Sequence, residues 1–394
     1  MELRDRRARA AVAVAYFVQG FCFAALLTHV SVLQKKFGFS DGALSLVLLA
    51  VPVVAGLGSV LAGSLASRLG SAPVLRVGGP AVCLAITLVG AAATRGQLYA
   101  ALGGVGLTLG LVDATMNMQG VAVERRYGRP VLASFHGAWS AGGMLGALAT
   151  AGTAALHWST FAGLGAAAIV GAVLAVAAGP WELRRAEEVV ETPADLSATA
   201  IPWRPIVLIG TAMMLMYIAD SATSNWSTVF LDKVLHASTS VAALGLFAYQ
   251  ACMVFGRAVA DRAVRRFGAV PAVATGAVIG GVGLLIVAAA PGPAVGVAGF
   301  AVLGLGLCVV VPQSFSAAGR LDPASTGVAI ARVNLFNYIG FVVGAAMIGA
   351  VAQSASLRLA FVIPAVLTAG IVALAPAFRV SRASVVAPAP QLPA

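Results

Sequence analysis

Twelve stretches of about 20 mainly apolar residues, parted by short charged or Gly/Pro-rich breaks, restrict this chain to a bilayer. No water reaches backbone groups in hydrocarbon, so each stretch must satisfy its own amides, and a helix does this within one segment. The stretches fall approximately at 10–33, 42–65, 74–93, 98–121, 131–155, 159–178, 206–231, 238–260, 271–290, 294–315, 326–353 and 357–378. The narrowest breaks are 291–293 and 354–356. Four arginines before the first stretch give Met1 to Ala10 the look of a signal peptide, but the apolar run continues to about Leu33. That exceeds an h-region of about 7 to 15 residues, so the run is the first spanning helix. The fold class expected is all-α, with twelve transmembrane helices.

Composition agrees, with 60% hydrophobic and 10% charged residues in 394. The net charge of +11 could suggest nucleic acid, but the basic residues sit in the short loops. The termini and even-numbered loops carry 18 Lys and Arg against five in the odd-numbered loops. By the positive-inside rule both termini are expected in the cytoplasm, and nucleic acid is not expected as a partner. The alternation would break if a helix were missed in mid-chain. Cys22, Cys83, Cys252 and Cys308 lie far apart inside apolar runs, in no metal-ligand spacing, and read as packing residues.

One connection differs from the rest. Gly179 to Pro205 holds Glu182, Glu187, Glu188, Glu191, Asp195 and four prolines, a polar linker between two halves. The halves echo each other at an offset of about 194 to 200. Gly104-x-Gly106 matches Gly304-x-Gly306, Gly142-xxx-Gly146 matches Gly340-xxx-Gly344, and Gly63 to Arg68 matches Val259 to Arg262. Together and in order these imply an internal duplication. The organisation expected is a six-helix bundle over 1–178, a linker over 179–205, a second bundle over 206–378 and a cytoplasmic tail over 379–394.

Polar residues are distributed unevenly. The third, sixth, ninth and twelfth stretches offer little beyond Thr87, Thr275 and Thr368, and can face lipid. The others hold Gln19, Asp113, Asn117, His136, Trp139, Asp220, Asn225, Trp226, Gln250, Gln313, Arg332, Asn334, Asn337 and Tyr338. Such groups are costly in hydrocarbon and belong against a water-filled path or one another. Asp113 and Asp220 are the carboxylates deep in apolar runs, suited to proton coupling, to cation recognition or to a structural bond between helices. Asn117 lies one turn beyond Asp113 on the same face. His136 reads either as a proton relay or as packing; Arg332 either binds an anionic cargo or pairs with a carboxylate. Asn334, Asn337 and Tyr338 share a face that suits hydroxyl or amide groups of a cargo, and Trp139 and Trp226 could stack on one.

The pattern resembles the major facilitator superfamily, whose loop after the second helix carries Gly-x-Leu-Ala-Asp-Arg. Here Gly63 to Arg68 has Ser67 in place of that Asp, while the second half keeps Asp261-Arg262. The stretches Asp113 to Glu124, Ser134-Phe-His136-Gly-Ala-Trp139-Ser140, Asn225-Trp-Ser227 and Val311 to Arg320 are similar to the fucose-permease-like branch. The resemblance implies two pseudo-symmetric bundles rocking about a central site, with a small-molecule cargo and protons as partners. Arg68, Arg257, Asp261 and Arg262 then stand where a cytoplasmic gate closes. Relatives often have an acidic residue at the place of Asn225 and apolar ones around Arg332 and Asn334, so the cargo should differ from a neutral sugar.

The expected function is a proton-linked secondary transporter of a small polar solute; the alternative is a proton-antiporting exporter. Helix 5 has Gly142-Gly143 and lacks the Gly-Pro motif typical of antiporters in the superfamily, which leans toward uptake. None of Lys35, Lys36 and Lys233 follows a glycine, so there is no P-loop for ATP. No nucleophile, base and orienter set is present, and His29, His136, His157 and His236 are scattered, so no enzyme, cofactor or metal is expected. A monomer among the lipids of a bacterial inner membrane is the setting expected.

Overall fold

The computed structural model describes residues 2–188, 201–322 and 324–379. The chain is all-helical, with about twelve long apolar helices in two pseudo-symmetric bundles. The first comprises α1 (Leu3–Thr28), α2 (Asp41–Leu69), α3 (Ser71–Ala91), α4 (Arg95–Tyr127), α5 (Leu132–Ala155) and α6 (Thr160–Ala178). The second comprises α7 (Trp203–Lys233), α8 (Thr239–Phe267), α9 (Ala269–Ala289), α10 (Pro293–Leu307), α11 (Val328–Ser354) and α12 (Leu357–Leu374). Helix α1 breaks at His29 and resumes over Val30–Phe37; α10 breaks at Cys308 and Val309 and resumes over Val310–Arg320. The two narrow breaks expected from the sequence fall where helices end, at Ala289 and Ser354. Helix α1 begins seven residues before the apolar run because its arginines extend the same helix beyond hydrocarbon.

Ten spans are long and apolar enough to cross a membrane by length and composition alone, among the described residues. Helices α5 and α8, which carry His136, Ser140, Gln250 and Arg257, pack against each other between the halves. Their polarity belongs to this seam. Helices α3, α6, α9 and α12, the bland ones, make their main packing contacts within their own halves.

Glycine pairing builds each half in the same way. A methyl group on Gly142 or Gly146 would come within 2.2 Å of the carbonyl oxygens of Phe17 and Phe21, so α5 touches α1 backbone to backbone. On Gly340 and Gly344 it would come within 2.5 and 2.6 Å of the carbonyl oxygens of Met214 and Ile218, joining α11 to α7. This is small-residue packing, the usual glue where lipid offers no hydrophobic drive. The duplicated motif read from the sequence thus does one job twice.

Helix starts divide into two kinds. Ser40, Thr94, Ser159 and Ser356 cap α2, α4, α6 and α12 with their own side chains. At the other end of the bundle α5 and α11 depend on carboxylates from elsewhere. Glu124 accepts from Val131 and Leu132 N–H at 2.8 and 3.1 Å, and Asp261 of α8 accepts from Ala133 and Ser134 at 3.1 and 3.0 Å. Asp322 accepts from Thr326 and Gly327 N–H at 3.1 and 2.8 Å ahead of α11.

The segment from Gly179 to Glu188 folds back onto the first bundle at this same end, called here the linker end. Gln119 clasps Leu183, accepting from its N–H and donating to its carbonyl, both at 2.9 Å. Glu188 receives the Ser71 N–H and hydroxyl and the Gln119 amide. Glu191, Asp195 and the rest of 189–200, like the tail beyond 379, lie outside the described residues. Burial pushes the Glu182 carboxyl up to about 7, against the pull of Arg76 at 3.3 Å. A carboxyl raised in the folded state favours docking at lower pH, and that advantage is lost as pH rises through about 7. Trypsin cleavage at the exposed Arg184 and Arg185, taken relative to cleavage of an unstructured peptide at the same pH, should therefore be faster at pH 8 than at pH 6 in purified protein. Glu182→Gln should flatten the step; a step unchanged in that variant would remove Glu182 from the account.

Candidate functional site

The halves meet along α2 with α11, α5 with α8, and the second stretch of α10 with α4 and α5. At the centre of this seam stands Asp113 of α4. Its Oδ2 accepts from Asn334 Nδ2 and Tyr338 hydroxyl, both at 2.9 Å, and from Asn337 Nδ2 at 3.4 Å. All three donors come from α11, in the other half. Asn117, one turn on, donates to the Asp113 carbonyl at 2.8 Å and accepts from the Tyr16 hydroxyl at 2.6 Å. Gln19 of α1 is buried beside the same carboxylate. Ser59 of α2 accepts from Asn334 Nδ2 at 3.2 Å.

The chemistry of this arrangement follows from donor and acceptor counts. An ionised carboxylate only accepts, and Oδ2 with three donors around it is well served. A proton on Oδ2 turns one acceptor site into a donor, so a bond from α11 must lengthen. Protonation at this atom therefore acts on the joint between the halves.

Asp220 occupies a different setting. The Tyr249 hydroxyl of α8 donates to it within the second half, and Tyr217 lies close enough to feel both carboxylates. His136 is buried between Tyr16, edge-on at 5.1 Å between centroids, and Phe315 of α10, stacked at 6.0 Å. Arg257 of α8 reaches across to α5, donating to Ser140 Oγ at 2.5 Å and to the His136 carbonyl at 3.4 Å. Gln250 and Trp139 are half-buried, and Gln313 is buried with no partner for its Nε2 among the described residues.

Other candidates lie elsewhere. Arg332 sets its guanidinium 4.1 Å over the Trp203 ring and donates to the Ile201 carbonyl, at the start of α7. Asn225 is exposed and bonds back to Ser221 of its own helix, and Trp226 lies against Gly349. Arg68 and Arg262 are exposed; the Arg68 carbonyl accepts from Arg185. Among the four residues placed at the gate, Asp261 and Arg257 thus make side-chain bonds between halves.

Several participants escaped the sequence reading. Glu124 accepts from Ser316 across the seam, and Arg125 donates to Gly319, Ser325 and the Asp322 carbonyl, the last at 2.8 Å. Glu124 stood inside a quoted motif without a role. Its duplicate is Asp322, each carboxylate accepting from the start of the next long helix, a correspondence that falls within the repeat offset. Tyr16 and Tyr249 resemble ordinary aromatic packing until their hydroxyls are placed. At the opposite end of the bundle, hydrogen bonds such as Arg95 to Phe37 and Arg358 to Ala288 join helices of one half. Among the described residues no three His, Cys, Asp or Glu side chains converge as a metal site.

Comparison with known proteins matches this architecture. The sequence profile described as Major Facilitator Superfamily matches residues 209–393. An uncharacterised MFS-type transporter of Yersinia pestis is 30% identical over 351 residues, 88% of this chain and 90% of its own. The membrane protein MosC of Rhizobium meliloti is 26% identical, over 88% of this chain and 84% of its own. Among solved structures, FucP in its outward conformation superposes with a TM-score of 0.77 at 16% identity, covering 94% of this chain and 98% of that one. A human organic anion transporter superposes with a TM-score of 0.74 at 14% identity, covering 95% and 100%. These likenesses in structure are likenesses of fold.

Proposed function

The chain belongs to the Major Facilitator Superfamily, and from that premise we propose that it carries a small polar solute together with a proton bound at Asp113. Fold and family are those of a secondary transporter working by alternating access, not of an enzyme. The observation that carries the proton reading is the trio of α11 donors on Asp113 Oδ2, because it makes one titratable atom a fastener between the two moving halves. Asp220 is the second carboxylate able to share the proton, through Tyr249. Gln19, Trp139, Gln250 and Asn337 supply polar and aromatic surface around the same seam. The motifs shared with fucose-permease-like proteins support a place in that branch, and FucP itself is named a fucose:proton symporter of E. coli.

The bundle boundaries proposed are 1–178 and 206–378, with the polar segment between them acting as the tether. The charge asymmetry supports both termini and the linker end on the cytoplasmic side of a bacterial inner membrane, and a monomer suffices for the cycle. In that orientation the seam is fastened on the cytoplasmic side. Cysteines introduced at Arg184 and Arg204 should react with impermeant thiol reagents in inverted vesicles and be protected in intact cells. Labelling in intact cells would overturn the orientation. Transport itself is tested in proteoliposomes, where an imposed pH gradient should drive accumulation of the cargo and dissipating it should stop accumulation. Uptake indifferent to the gradient would refute proton coupling.

A further inference from the structure

Arg257 is a buried cation in no resolved ion pair; the carboxylate near enough to feel its charge is Asp220, which the Tyr249 hydroxyl already serves. Its residue is 6% exposed, yet among the described residues no carboxylate lies within ion-pair distance of it. Three of the four resolved ion pairs, Arg4 with Glu187, Arg76 with Glu182 and Arg126 with Asp5, sit around the linker end, and the fourth, Lys233 with Asp232, closes the far end of α7. A buried, unpaired charge is costly and is ordinarily matched by a counter-ion.

The unmatched part of the guanidinium has a definite shape. Nη1 is spent on Ser140 Oγ and the His136 carbonyl. Nε is enclosed without a hydrogen-bond partner, and no bond from Nη2 is resolved among the described residues. Nε and Nη2 form the edge that takes a carboxylate through two parallel hydrogen bonds. His136, whose carbonyl already touches this guanidinium, also has its Nε2 buried with no partner among the described residues, and as the Nε2–H tautomer it offers a further donor. Both residues lie one turn inside the Asp261 clasp, so the group is at the floor of the seam. Gln250 precedes Arg257 by seven residues, the same face of α8 about 10 Å further from the linker end. It is half-buried, and no partner of its amide is resolved among the described residues.

We propose that the Nε–Nη2 edge of Arg257, flanked by His136, receives the carboxylate of the cargo, and that Gln250 receives a hydroxyl, making the cargo a small hydroxylated carboxylic acid. The inference rests on the transporter reading above and adds to it the class of solute. It reassigns the anion-binding role weighed for Arg332, whose guanidinium is taken by Trp203. It also fits the proton: a monoanion entering with one proton moves no net charge, and neutralising Asp113 removes a repelling carboxylate from the same seam.

The test uses purified full-length protein and a series of five- and six-carbon aldonic and uronic acids. Each is paired with its neutral parent sugar and, where one exists, its amide, such as glucuronate with glucuronamide. Thermal unfolding should shift upward with at least one acid and not with its neutral counterparts. Arg257→Lys keeps the charge and can still reach Ser140 but lacks the edge, so it should raise the apparent Kd of that acid at least tenfold. No shift with any acid, an amide binding as tightly as its acid, or an unchanged Kd in Arg257→Lys would each overturn the proposal. The comparison of acid and amide needs no variant, so it holds even if substitution at Arg257 prevents folding. A functional reciprocal exchange, Arg257→Asp with Asp220→Arg, would assign the edge to Asp220 and also overturn it. If a neutral sugar stabilises the protein and accumulates with protons, the acid inference falls and the transporter reading stands.

Discussion

Asp113→Asn should abolish accumulation driven by an imposed pH gradient while leaving exchange of cargo across the membrane. One proton per cycle across a gradient of one pH unit supplies about 1.4 kcal/mol, enough for roughly tenfold accumulation. The variant should bring that ratio to about one. The reason lies in the valence of Oδ2. An amide cannot alternate between a pure acceptor and a donor, so the bonds from Asn334, Asn337 and Tyr338 can no longer be loosened by a proton. Exchange survives because the halves can still rock with cargo bound. Proteoliposomes of the variant that still reach tenfold accumulation would assign the proton elsewhere, with Asp220→Asn the next variant to measure.

Asp261→Asn should shift the resting population toward opening at the linker end. Each carboxylate oxygen takes one N–H from the first turn of α5, so a single side chain of one half caps a helix of the other. Asn offers one carbonyl oxygen, and its amide group faces the second N–H as another donor. Losing one charge-assisted bond and the favourable charge at a helix N-terminus costs about 1 to 2 kcal/mol, a shift of about 5- to 30-fold in the closed-to-open ratio. Spin labels at positions 129 and 262, both exposed, should report a longer distance population in the variant. An unchanged distribution would leave Asp261 as a helix cap without a part in gating.

The sequence carried the helices, the duplication and the polar seam because each depends on a period within one helix or a repeat along the chain. It flagged Asp113, Asn334, Asn337 and Tyr338 separately, since polarity in an apolar run is visible residue by residue. That they bond one another was not legible, because helical period gives a face and not the neighbour across it. Arg332 shows the limit well. It stands two residues from Asn334, but that rotation turns it toward Trp203 and away from the carboxylate. Glu124 and Arg125 were assigned to a loop by their charge, yet α4 continues through both and delivers them to α10. Asn225 and Trp226 drew notice by motif, and their bonds and packing stay within the second half.

The glycine seams between α1 and α5 and between α7 and α11 have a mechanical consequence. Two backbones in direct contact leave no side chains to repack, so each pair behaves as a double-thickness beam that cannot flex within its fastened stretch. Bending during rocking should then fall where a helix is interrupted, as at His29 in α1 and Cys308 with Val309 in α10, or holds an internal proline, as at Pro52 in α2. The beams should therefore swing as rigid units, with such interruptions as the joints between them and the ends of the pathway.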